Sequence, residues 1–541
     1  MDLEYLQQNE WQKFFSESLP TTPWLTVYKS RRKGDDDITI FSGLVPVDSI
    51  PKSLESESWD ISIGQGGPGF VTYYNQGEDE RTEYKRNLND YLIEPIVIFR
   101  EFHGMKDDYL EIQEEFRLFH NLYDDPKRNV LVKIHDDGNE EDAVTIESKK
   151  IQIKTKFIKQ YMAAKQMGLA IYFDGFRYSK EEYSEEEYSK FSCKKKEKDI
   201  SYFLHIGPWN SILGDENKSI SRLLGKRIIF PPSIEKSGRW PFEERKEKFE
   251  EFIIGTDEDG GHIYYTSDPD KLANYFGANP DAPHYLTPVF FKKEVLSKYY
   301  NNPEKFSVED GYLRCGGLWG LRMDNDHPDL VMVFLGDLGR DLFHTEQLYW
   351  KSYNLPPEGK MSSTCFKRSF LAQFADPGSE DLTFKTKFNQ FSTKWSEKFG
   401  WPLFLPLNEK DSHLFVSLRV PVTNDHSEFD SQVLAIAKIL VDSLNEKELG
   451  KIIKADAKDL RGIAKFGQFL SEKSMPDYEY YEEFLKDLYA LRSSGVGHRK
   501  GKRYEKIAAR FELKKKPLKE VFVGILKKAE ELLNDLEKNF L

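Results

Sequence analysis

The stretch around which the C-terminal part of the chain is organised is Glu483-Phe-Leu-Lys-Asp-Leu-Tyr-Ala-Leu-Arg492-Ser-Ser-Gly-Val-Gly-His498-Arg-Lys-Gly. Its apolar residues recur at helical spacing, which predicts an amphipathic helix that reaches Arg492. Because a helix turns by about 100° per residue, Arg492 is expected at the inner edge of the buried stripe. Gly495 and Gly497 are poor helix residues. They predict a break in the helix that lets His498 fold back toward the arginine.

Helical periodicity surrounds this stretch, whereas strand signals are confined to earlier parts of the chain. Four amphipathic helices are expected, with Ser431 as a candidate N-cap of the first. Their apolar positions are Val433, Ala437, Leu440, Val441 and Leu444; Leu460, Ile463, Ala464 and Leu470; Tyr481, Phe484, Leu485, Leu488 and Tyr489; and Val521, Ile525, Ala529, Leu532, Leu533 and Leu536. This pattern predicts a compact all-α bundle over residues 426–541.

The composition indicates a folded protein with more than one domain. The chain has 541 residues, of which 39% are apolar and 31% charged. That length exceeds what one hydrophobic core supports, so roughly two to four domains are expected. The net charge is −13, which argues against a surface adapted throughout to nucleic acid. Any contact with nucleic acid therefore requires a local basic patch.

The sequence predicts a cytoplasmic protein. The first ten residues have neither the basic nor the apolar region of a secretory signal. No apolar run reaches the roughly 18 residues of a membrane span. The cysteines are three in number and far apart, at Cys193, Cys315 and Cys365. This usage fits a reducing compartment better than a disulfide framework or a zinc site.

An N-terminal sensor or scaffold of mixed α/β structure is expected over residues 1–200. It begins with a short helix that ends before Pro20 and with two strands joined by a turn at Gly34. The loop Gly64–Gly69 lacks the Gly-Lys-Ser/Thr of a P-loop, so a surface loop is favoured over a phosphate site. In chain order, the further expectations are a helix over 88–125, a strand over 128–135, a helix over 154–167 capped by Gly168 and a strand over 169–173. The charged block over 178–199 is expected to form a solvated loop or hairpin tip, with a regulatory contact as the lesser alternative.

A central α+β region is expected over residues 201–425, which are rich in aromatic and turn residues. Leu330–Leu335 is predicted to be a buried strand, followed by a turn over 336–341. Asp324, Asp326 and His327 are candidate metal ligands. Such residues in a proline-containing turn more often serve the loop itself, so no metal site is predicted. The region has no pattern that names an enzyme, and a binding or scaffolding role is inferred by elimination.

The spacing of Arg492 and His498 carries little information by itself. With 11 histidines in the chain, an arginine at such a distance arises about once or twice by chance. Only Arg492 ends an amphipathic helix in an all-helical segment. The other matches lie in a strand, a polar turn and a strand that leads into a linker, and they are Arg128…His135, Arg322…His327 and Arg419…His426.

A basic segment follows the motif. Only Glu505 and Glu512 oppose its cations, which are Arg499, Lys500, Lys502, Arg503, Lys506, Arg510, Lys514, Lys515, Lys516 and Lys519. In a chain of negative net charge, this cluster suits the binding of a phosphate backbone. A solvated helix face is an alternative of equal weight. Tyr504 and Phe511 could stack on bases, but we expect them to be core contacts.

The arrangement of Arg492 and His498 resembles the motif of the HEPN ribonucleases. In that family an arginine, usually followed by a polar residue, precedes a histidine by four to six intervening residues at a helix end in a small bundle. The resemblance covers residues 426–541. It implies an α+β multidomain protein with a HEPN-like helical bundle and a metal-independent, cofactor-free endoribonuclease activity. The implied catalytic residues are Arg492, Ser493 and His498, and the implied products carry 2′,3′-cyclic phosphate and 5′-OH ends.

The same resemblance implies partners and a biological setting. Two bundles pair in the family so that two Arg–His sets share one cleft, which predicts a homodimer or a larger even homo-oligomer. It implies tRNA or mRNA as substrate and a toxin in antiviral defence by abortive infection, held in check by the N-terminal body until a phage-derived or nucleotide trigger arrives. Some branches carry an acidic residue before the arginine, where Glu483 and Asp487 lie here. The residues expected along the RNA are Arg499, Lys500, Lys502 and Arg503.

The chemistry of these residue types fits RNA cleavage. Cleavage without a metal needs a base for the 2′-OH proton, a charge on the phosphorane and an acid for the leaving oxygen. His498, with an ordinary pKa near ~6.5, exchanges protons at neutral pH. Arg492 stays charged and offers paired donors to a phosphate.

Two other hypotheses stay open at the level of sequence. In the first, the helical bundle is a non-catalytic dimerising or binding module, Arg492 interacts with the dipole of its helix and His498 is an ordinary loop residue. In the second, which ranks last, a metal-dependent hydrolase is built around Asp324 and His327.

Overall fold

The protein consists of two units, each with its own core. The computed structural model describes residues 2–33, 36–55, 69–74, 80–85, 93–210, 216–243, 247–357, 379–453, 460–495 and 502–541. The first unit comprises Met1–His135 and Asn139–Lys246, and the second comprises Asp136–Gly138 and Glu247–Leu541. The three regions expected from the sequence divide the chain at other points, and that division stays a prediction.

The first unit is built on a large antiparallel sheet of eleven strands. The strands described in this unit are β1 Trp24–Lys33, β2 Asp36–Pro46, β3 Gly69–Tyr73, β4 Arg81–Lys85, β5 Glu94–Pro95, β6 Val97–Arg100, β7 Tyr109–Ile112, β8 Leu122–Asp125, β9 Val130–Ile134, β10 Glu140–Glu147, β11 Lys150–Lys154, β12 Met167–Ser179, β13 Cys193–Lys196, β14 Ile200–Pro208 and β15 Ser219–Ile229. The sheet runs β13-β14-β15-β12-β2-β1-β11-β10-β9-β8, and β5 pairs with β2. The two pairs β3–β4 and β6–β7 form separate hairpins.

Helices cover the sheet of the first unit. They are α1 Asp2–Leu6, α2 Asn9–Lys13, α3 Ile50–Glu55, α4 Glu114–His120, α5 Thr155–Lys165 and α6 Glu185–Phe191. The apolar face of α5 is buried in the core with Phe116 of α4, and Phe15 stacks on Phe173 of β12 at 3.7 Å between ring centroids. Strand β12 is buried over its first seven residues, as expected for a strand at the centre of a sheet that is covered on both faces.

Several expectations for the first unit are confirmed, namely the N-terminal helical turns, the strand pair around Gly34, the strand within 128–135, the helix within 154–167 and the strand that follows it. The long helix over 88–125 is wrong. In the described part of that range only α4 is helical, and the remainder forms β5 to β8. The surrounding acidic residues obscured the short continuous apolar run Ile96–Phe99, which is consistent with a buried strand.

One local expectation in the first unit is also wrong. Helix α5 ends at Gln166 in the left-handed conformation, whereas Gly168 lies inside β12. The Ile50 side chain packs so closely there that a Cβ on Gly168 would approach it to 2.9 Å. The charged block over 178–199 contains α6 and β13, and β13 forms a hairpin with β14 whose turn lies at 197–199. The hairpin alternative is therefore confirmed and the plain loop is not. Ser184 and Glu187 begin α6 with a reciprocal capping box.

The second unit starts with an α+β part. Its strands are β16 Glu251–Thr256, β17 His262–Thr266, β18 Pro288–Lys292, β19 Phe306–Glu309, β20 Tyr312–Cys315, β21 Trp319–Arg322, β22 Leu330–Phe334 and β23 Asn354–Leu355, and its helices are α7 Ser297–Tyr300, α8 Leu335–Asp341 and α9 His344–Lys351. Strand β18 pairs with β22 and β23, and β20 pairs with β19 and β21. The strand expected at 330–335 is confirmed. The turn expected over 336–341 is wrong, because α8 buries Leu335 and Leu338 there.

The rest of the second unit is helical from Ser379 to the C-terminus. Its helices are α10 Glu380–Phe399, α11 His413–Ser417, α12 His426–Ala437, α13 Glu446–Ile452, α14 Ile463–Glu472, α15 Tyr478–Gly495, α16 Lys502–Arg510 and α17 Leu518–Phe540. Among the described residues, no helix is both long and apolar enough to cross a membrane.

The four expected C-terminal helices are confirmed as α12, α14, α15 and α17, and their apolar faces share one core. The helical part nevertheless starts well before residue 426. Its first helix, α10, begins at Glu380 and packs along α17. The sequence prediction missed α10, whose buried residues Phe384, Phe391 and Trp395 lie on one helical stripe. The N-cap of α12 is Asp425, whose side chain accepts from the Ser427 amide, and not Ser431.

Candidate functional site

Arg492 lies near the C-terminal end of α15, where the buried stripe of that helix ends. Leu488 and Leu491 are buried just before it, and its own side chain is 18% exposed. Arg492 therefore sits at the edge of the core, as the helical spacing predicts. Helix α15 ends at Gly495. His498, Arg499 and Lys500 lie outside the described residues, as do the side chains of Lys502 and Arg503 at the start of α16.

The partner of Arg492 comes from α12, which continues into the π-helical turn Lys438–Asp442. The Asp442 carboxylate accepts a hydrogen bond from Nη1 of Arg492. The buried side chains of Leu440 and Val441 hold that turn against the core. Turns of this kind are uncommon and often occur at functional sites. Asp442 is not predictable from the sequence pattern, because the pair joins residues that are 50 positions apart.

The guanidinium of Arg492 is also held from its own helix. Its central carbon lies 4.9 Å from the ring centroid of Tyr489, one turn earlier. Its Nε and Nη2 donate to no acceptor among the described residues. One guanidinium nitrogen is thus engaged by Asp442, and among the described residues the donors of the other two are not used.

The serines after Arg492 turn back onto their helix. Ser493 donates to the Ala490 carbonyl at 3.3 Å, and the buried Ser494 donates to the same oxygen at 2.6 Å. Hydroxyls that bond the preceding turn are common near helix ends. The expected role of Ser493 in orienting the site stays a prediction.

The acidic residues that precede Arg492 on α15 serve another cation. Arg510 of α16 donates to Asp487 at 2.6 Å and to Glu483 at 3.2 Å. These pairs tie α16 to α15, and Asp442 on a third element is the carboxylate at Arg492.

The basic segment is mixed in character. Lys516 pairs with Glu512 at 2.6 Å, and Lys519 pairs with Asp329 at 2.7 Å. Lys506 and Lys514 are exposed and have no ionic partner among the described residues. The aromatic residues of this segment are core contacts as expected, because Tyr504 is buried and Phe511 packs against the helical core.

In two of the alternative Arg–His matches the side chains pair with nearby carboxylates. Arg128 donates two hydrogen bonds to Asp142, at 2.7 and 2.6 Å, and His135 contacts Glu141 at 3.0 Å. Arg419 is buried and donates to Glu428 at 2.8 Å. These side chains stabilise turns and strand pairs.

The candidate metal ligands are used in the same way by their loop. Asp326 accepts from the Ser379 amide at 3.0 Å, and the Nδ1 of His327 accepts from two backbone amides at 3.1 Å. Within the described ranges, no group of three or more His, Cys, Asp and Glu side chains is arranged to hold a metal ion. The phosphate-loop candidate at 64–68 lies outside the described residues.

The end of α15 therefore offers a partly exposed guanidinium that is fixed by a carboxylate and a ring, and no described residue accepts from its Nε or Nη2. Such a group can bind a phosphate oxygen pair through charge-assisted hydrogen bonds. No protein-family model, curated protein or solved structure matches the chain.

Proposed function

We propose that the protein is a metal-independent endoribonuclease whose active site lies at the end of α15 and uses Arg492, Ser493 and His498. The observation that carries the proposal is the state of Arg492. It lies near the end of a helix at the edge of an all-helical core, it is fixed by Asp442, and no described residue accepts from its Nε or Nη2. The resemblance to the HEPN ribonucleases adds the histidine and the reaction.

In the proposed reaction the RNA supplies its own nucleophile. His498 takes the proton of a 2′-OH, whose oxygen attacks the adjacent phosphorus. The bond from phosphorus to the 5′-oxygen breaks, and that oxygen receives a proton. The products are a 2′,3′-cyclic phosphate and a 5′-OH. Nε and Nη2 of Arg492 donate to the phosphoryl oxygens as negative charge develops on them.

Asp442 acts in this proposal as a positioning residue. Its hydrogen bond to Nη1 fixes the plane of the guanidinium, so that the opposite edge faces the ligand. An arginine that is fixed before binding loses less side-chain entropy when the phosphate arrives. The carboxylate also offsets part of the positive charge, which limits retention of the product.

The proposal extends to RNA binding and assembly. Arg499, Lys500, Lys502 and Arg503 would follow the RNA backbone, continued by the exposed Lys506 and Lys514. A homodimer or a larger even homo-oligomer would bring two such sites together. We further propose a cytoplasmic role in antiviral defence by abortive infection, with the N-terminal body responding to a phage-derived or nucleotide trigger.

The test is an RNA cleavage assay on purified full-length protein. Labelled tRNA and mRNA are incubated in EDTA with the wild type, Arg492→Ala and His498→Ala, and the product ends are mapped. We expect cyclic phosphate ends from the wild type and a loss of about 10²- to 10³-fold in both variants. Arg128→Ala is the control, because Arg128 belongs to another Arg–His spacing match, lies in the first unit and pairs with Asp142.

Cleavage by Arg492→Ala and His498→Ala at the wild-type rate would refute the proposal. A dimer that cleaves no RNA, and whose behaviour both substitutions leave unchanged, would favour the non-catalytic binding module instead.

A further inference from the structure

The α+β part of the second unit contains a cavity of about 680 Å³ that the proposed nuclease site does not use. It lies between α8, the strands β20 to β22 and the segment Met323–Asp326 that joins β21 to β22. Cavities of 300–1,000 Å³ are typical of sites for small organic ligands.

The apolar walls of the cavity are aromatic. The rings of Tyr285, Tyr312 and Phe334 line it, together with Met323 and Met332. Aromatic faces attract cations that lie over them, and they do so more strongly when water is excluded.

The charged groups of the lining favour a cation over an anion. Two are arginines, and Arg340 is already engaged by Asp337 at 2.9 Å and by Asp341 at 2.6 Å. Five are aspartates, namely Asp310, Asp324, Asp326, Asp337 and Asp341. Within the described residues no three ligand-type side chains converge as a metal site, so the negative charge is spread around the walls. Spread charge with aromatic walls suits an extended organic cation.

Asp337 is a buried carboxylate in the lining of the cavity. It accepts from the Tyr285 hydroxyl at 2.9 Å, and it pairs with Arg340. Burial nevertheless raises the pKa of its carboxyl above the ordinary value, because the loss of hydration outweighs these contacts. Groups of this kind in a cleft are frequent at binding sites.

We propose that this cavity binds a small organic cation with amino or guanidinium groups, and that the segment 324–329 transmits its occupancy to the helical part of the unit. The effect on RNA cleavage rests on the function proposed above, whereas the binding itself does not.

The segment 324–329 connects the cavity to two long helices. Asp326, which lines the cavity, accepts from the amide of Ser379, the N-cap of α10. Lys519 in the first turn of α17 donates to the Pro328 carbonyl at 2.8 Å and to Asp329 at 2.7 Å. Lys293 of the α+β part donates to the carbonyls of Asn325 and His327 at 2.9 and 2.8 Å. A ligand that shifts the segment therefore acts on the starts of α10 and α17.

The first experiment measures binding to the full-length protein by isothermal titration calorimetry, with spermidine and agmatine as cationic probes and ATP as the anionic one. We expect saturable binding of at least one cation and none of ATP. Asp310→Asn should weaken cation binding by about five- to tenfold, as expected for the loss of one partly buried charge pair. Tyr312→Leu, which removes one aromatic face, should weaken it by about two- to fivefold.

Asp281→Asn is the matched control, because Asp281 is an exposed aspartate of the same part of the chain that is not in the cavity lining. Circular dichroism establishes that each variant is folded. No saturable binding of either cation overturns the proposal, and so does tighter binding of ATP. Equal weakening by Asp281→Asn also overturns it, because the cation would then bind the acidic surface in general.

The second experiment tests transmission by hydrogen exchange with and without the bound cation. Slower exchange at residues 379–385 and 518–524, in addition to the cavity segment, supports the connection. Protection confined to the cavity segment overturns it. Neither readout requires ribonuclease activity, so failure here and failure of the proposed function are distinguishable.

Discussion

Arg177 in the first unit and Arg492 in the second show the difference between a guanidinium that stabilises the fold and one that can bind a ligand. Arg177 of β12 is 5% exposed in its side chain and uses all three nitrogens. Its Nη1 donates to the Tyr5 carbonyl at 2.8 Å, its Nε donates to Asp36 at 3.3 Å, and its Nη2 donates to Glu10. Arg492 of α15 uses Nη1 alone among the described residues and keeps part of its edge exposed.

The difference follows from the cost of burial. A buried charged group must satisfy its donors inside the protein, because water cannot replace a missing partner. Arg177 meets this requirement and fastens the N-terminal helical turns to the sheet. Arg492 does not have to satisfy all its donors inside the protein, because it lies near a helix end and is partly exposed. A fixed arginine with donors that no described residue uses is therefore more informative than its spacing to a histidine.

Arg177→Ala should give the largest loss of stability. It leaves the mostly buried Asp36 without this partner and releases the helical turns that carry Tyr5 and Glu10, so we expect about 2–4 kcal/mol less stability in urea unfolding. The matched control is Arg222→Ala on β15, whose ion pair with Asp174 is more exposed. It should cost less than about 1 kcal/mol. If both variants lost the same free energy of unfolding, Arg177 would not be more important to the fold than an exposed arginine.

His120 should make the first unit sensitive to acid. It is buried among Phe116, Phe119 and Phe157, and burial lowers its pKa to about 4. The unfolded chain binds a proton below its ordinary pKa near 6.5, whereas the folded protein does not until about pH 4. Stability is therefore full above pH 6.5 and should fall by up to about 3 kcal/mol as the pH drops to 4.

Urea unfolding across that pH range, followed by hydrogen exchange within residues 113–165, checks this prediction. His120→Leu should flatten the pH dependence. A variant that keeps the wild-type dependence would assign it to other groups.

Glu530 should give the helical part the opposite pH dependence. Burial, with a further contribution from Glu380, raises the pKa of its carboxyl to about 7, and its Oε1 has no hydrogen-bond partner among the described residues. Its contribution is full below pH 4.5 and is lost as the pH rises through 7. Because the side chain is only half-buried, Glu530→Gln should stabilise by about 1 kcal/mol at pH 8 and much less at pH 4.5. Destabilisation by Glu530→Gln at pH 8 would contradict this.

Asp442→Asn should have the smallest effect on stability. The pair with Arg492 is partly exposed, and an amide oxygen can still accept from Nη1. We expect a change within about 1 kcal/mol in thermal or urea unfolding. A loss of unfolding free energy as large as that of Arg177→Ala would show that Arg492 stabilises the fold as Arg177 does.

Much of the architecture follows from hydrophobic periodicity. The stripes of α12, α15 and α17 and the strand character of β12 and β22 are strong in the sequence. The long helix α10 was overlooked because its buried aromatics are separated by lysines and threonines that resemble a loop in composition. The strands between 94 and 125 were overlooked because their charges hide short alternating runs.

The candidate site was only partly accessible from sequence. The apolar stripe of α15 predicts that Arg492 lies at the edge of the core, because this position depends only on helix geometry. Asp442 was not found, since contacts between distant helices depend on packing that one sequence does not display. The cavity is not predictable from one sequence for the same reason, because its lining comes from separate elements between Tyr285 and Asp341 that only packing brings together.

Cleavage of tRNA and mRNA in EDTA by wild-type protein and by Arg492→Ala shows directly whether Arg492 is catalytic. The free energy of unfolding of both proteins is measured in parallel. The account predicts cyclic phosphate ends from the wild type, a loss of cleavage of about 10²-fold or more in the variant, and a stability change within about 1 kcal/mol. Undiminished cleavage by a folded Arg492→Ala protein would contradict it.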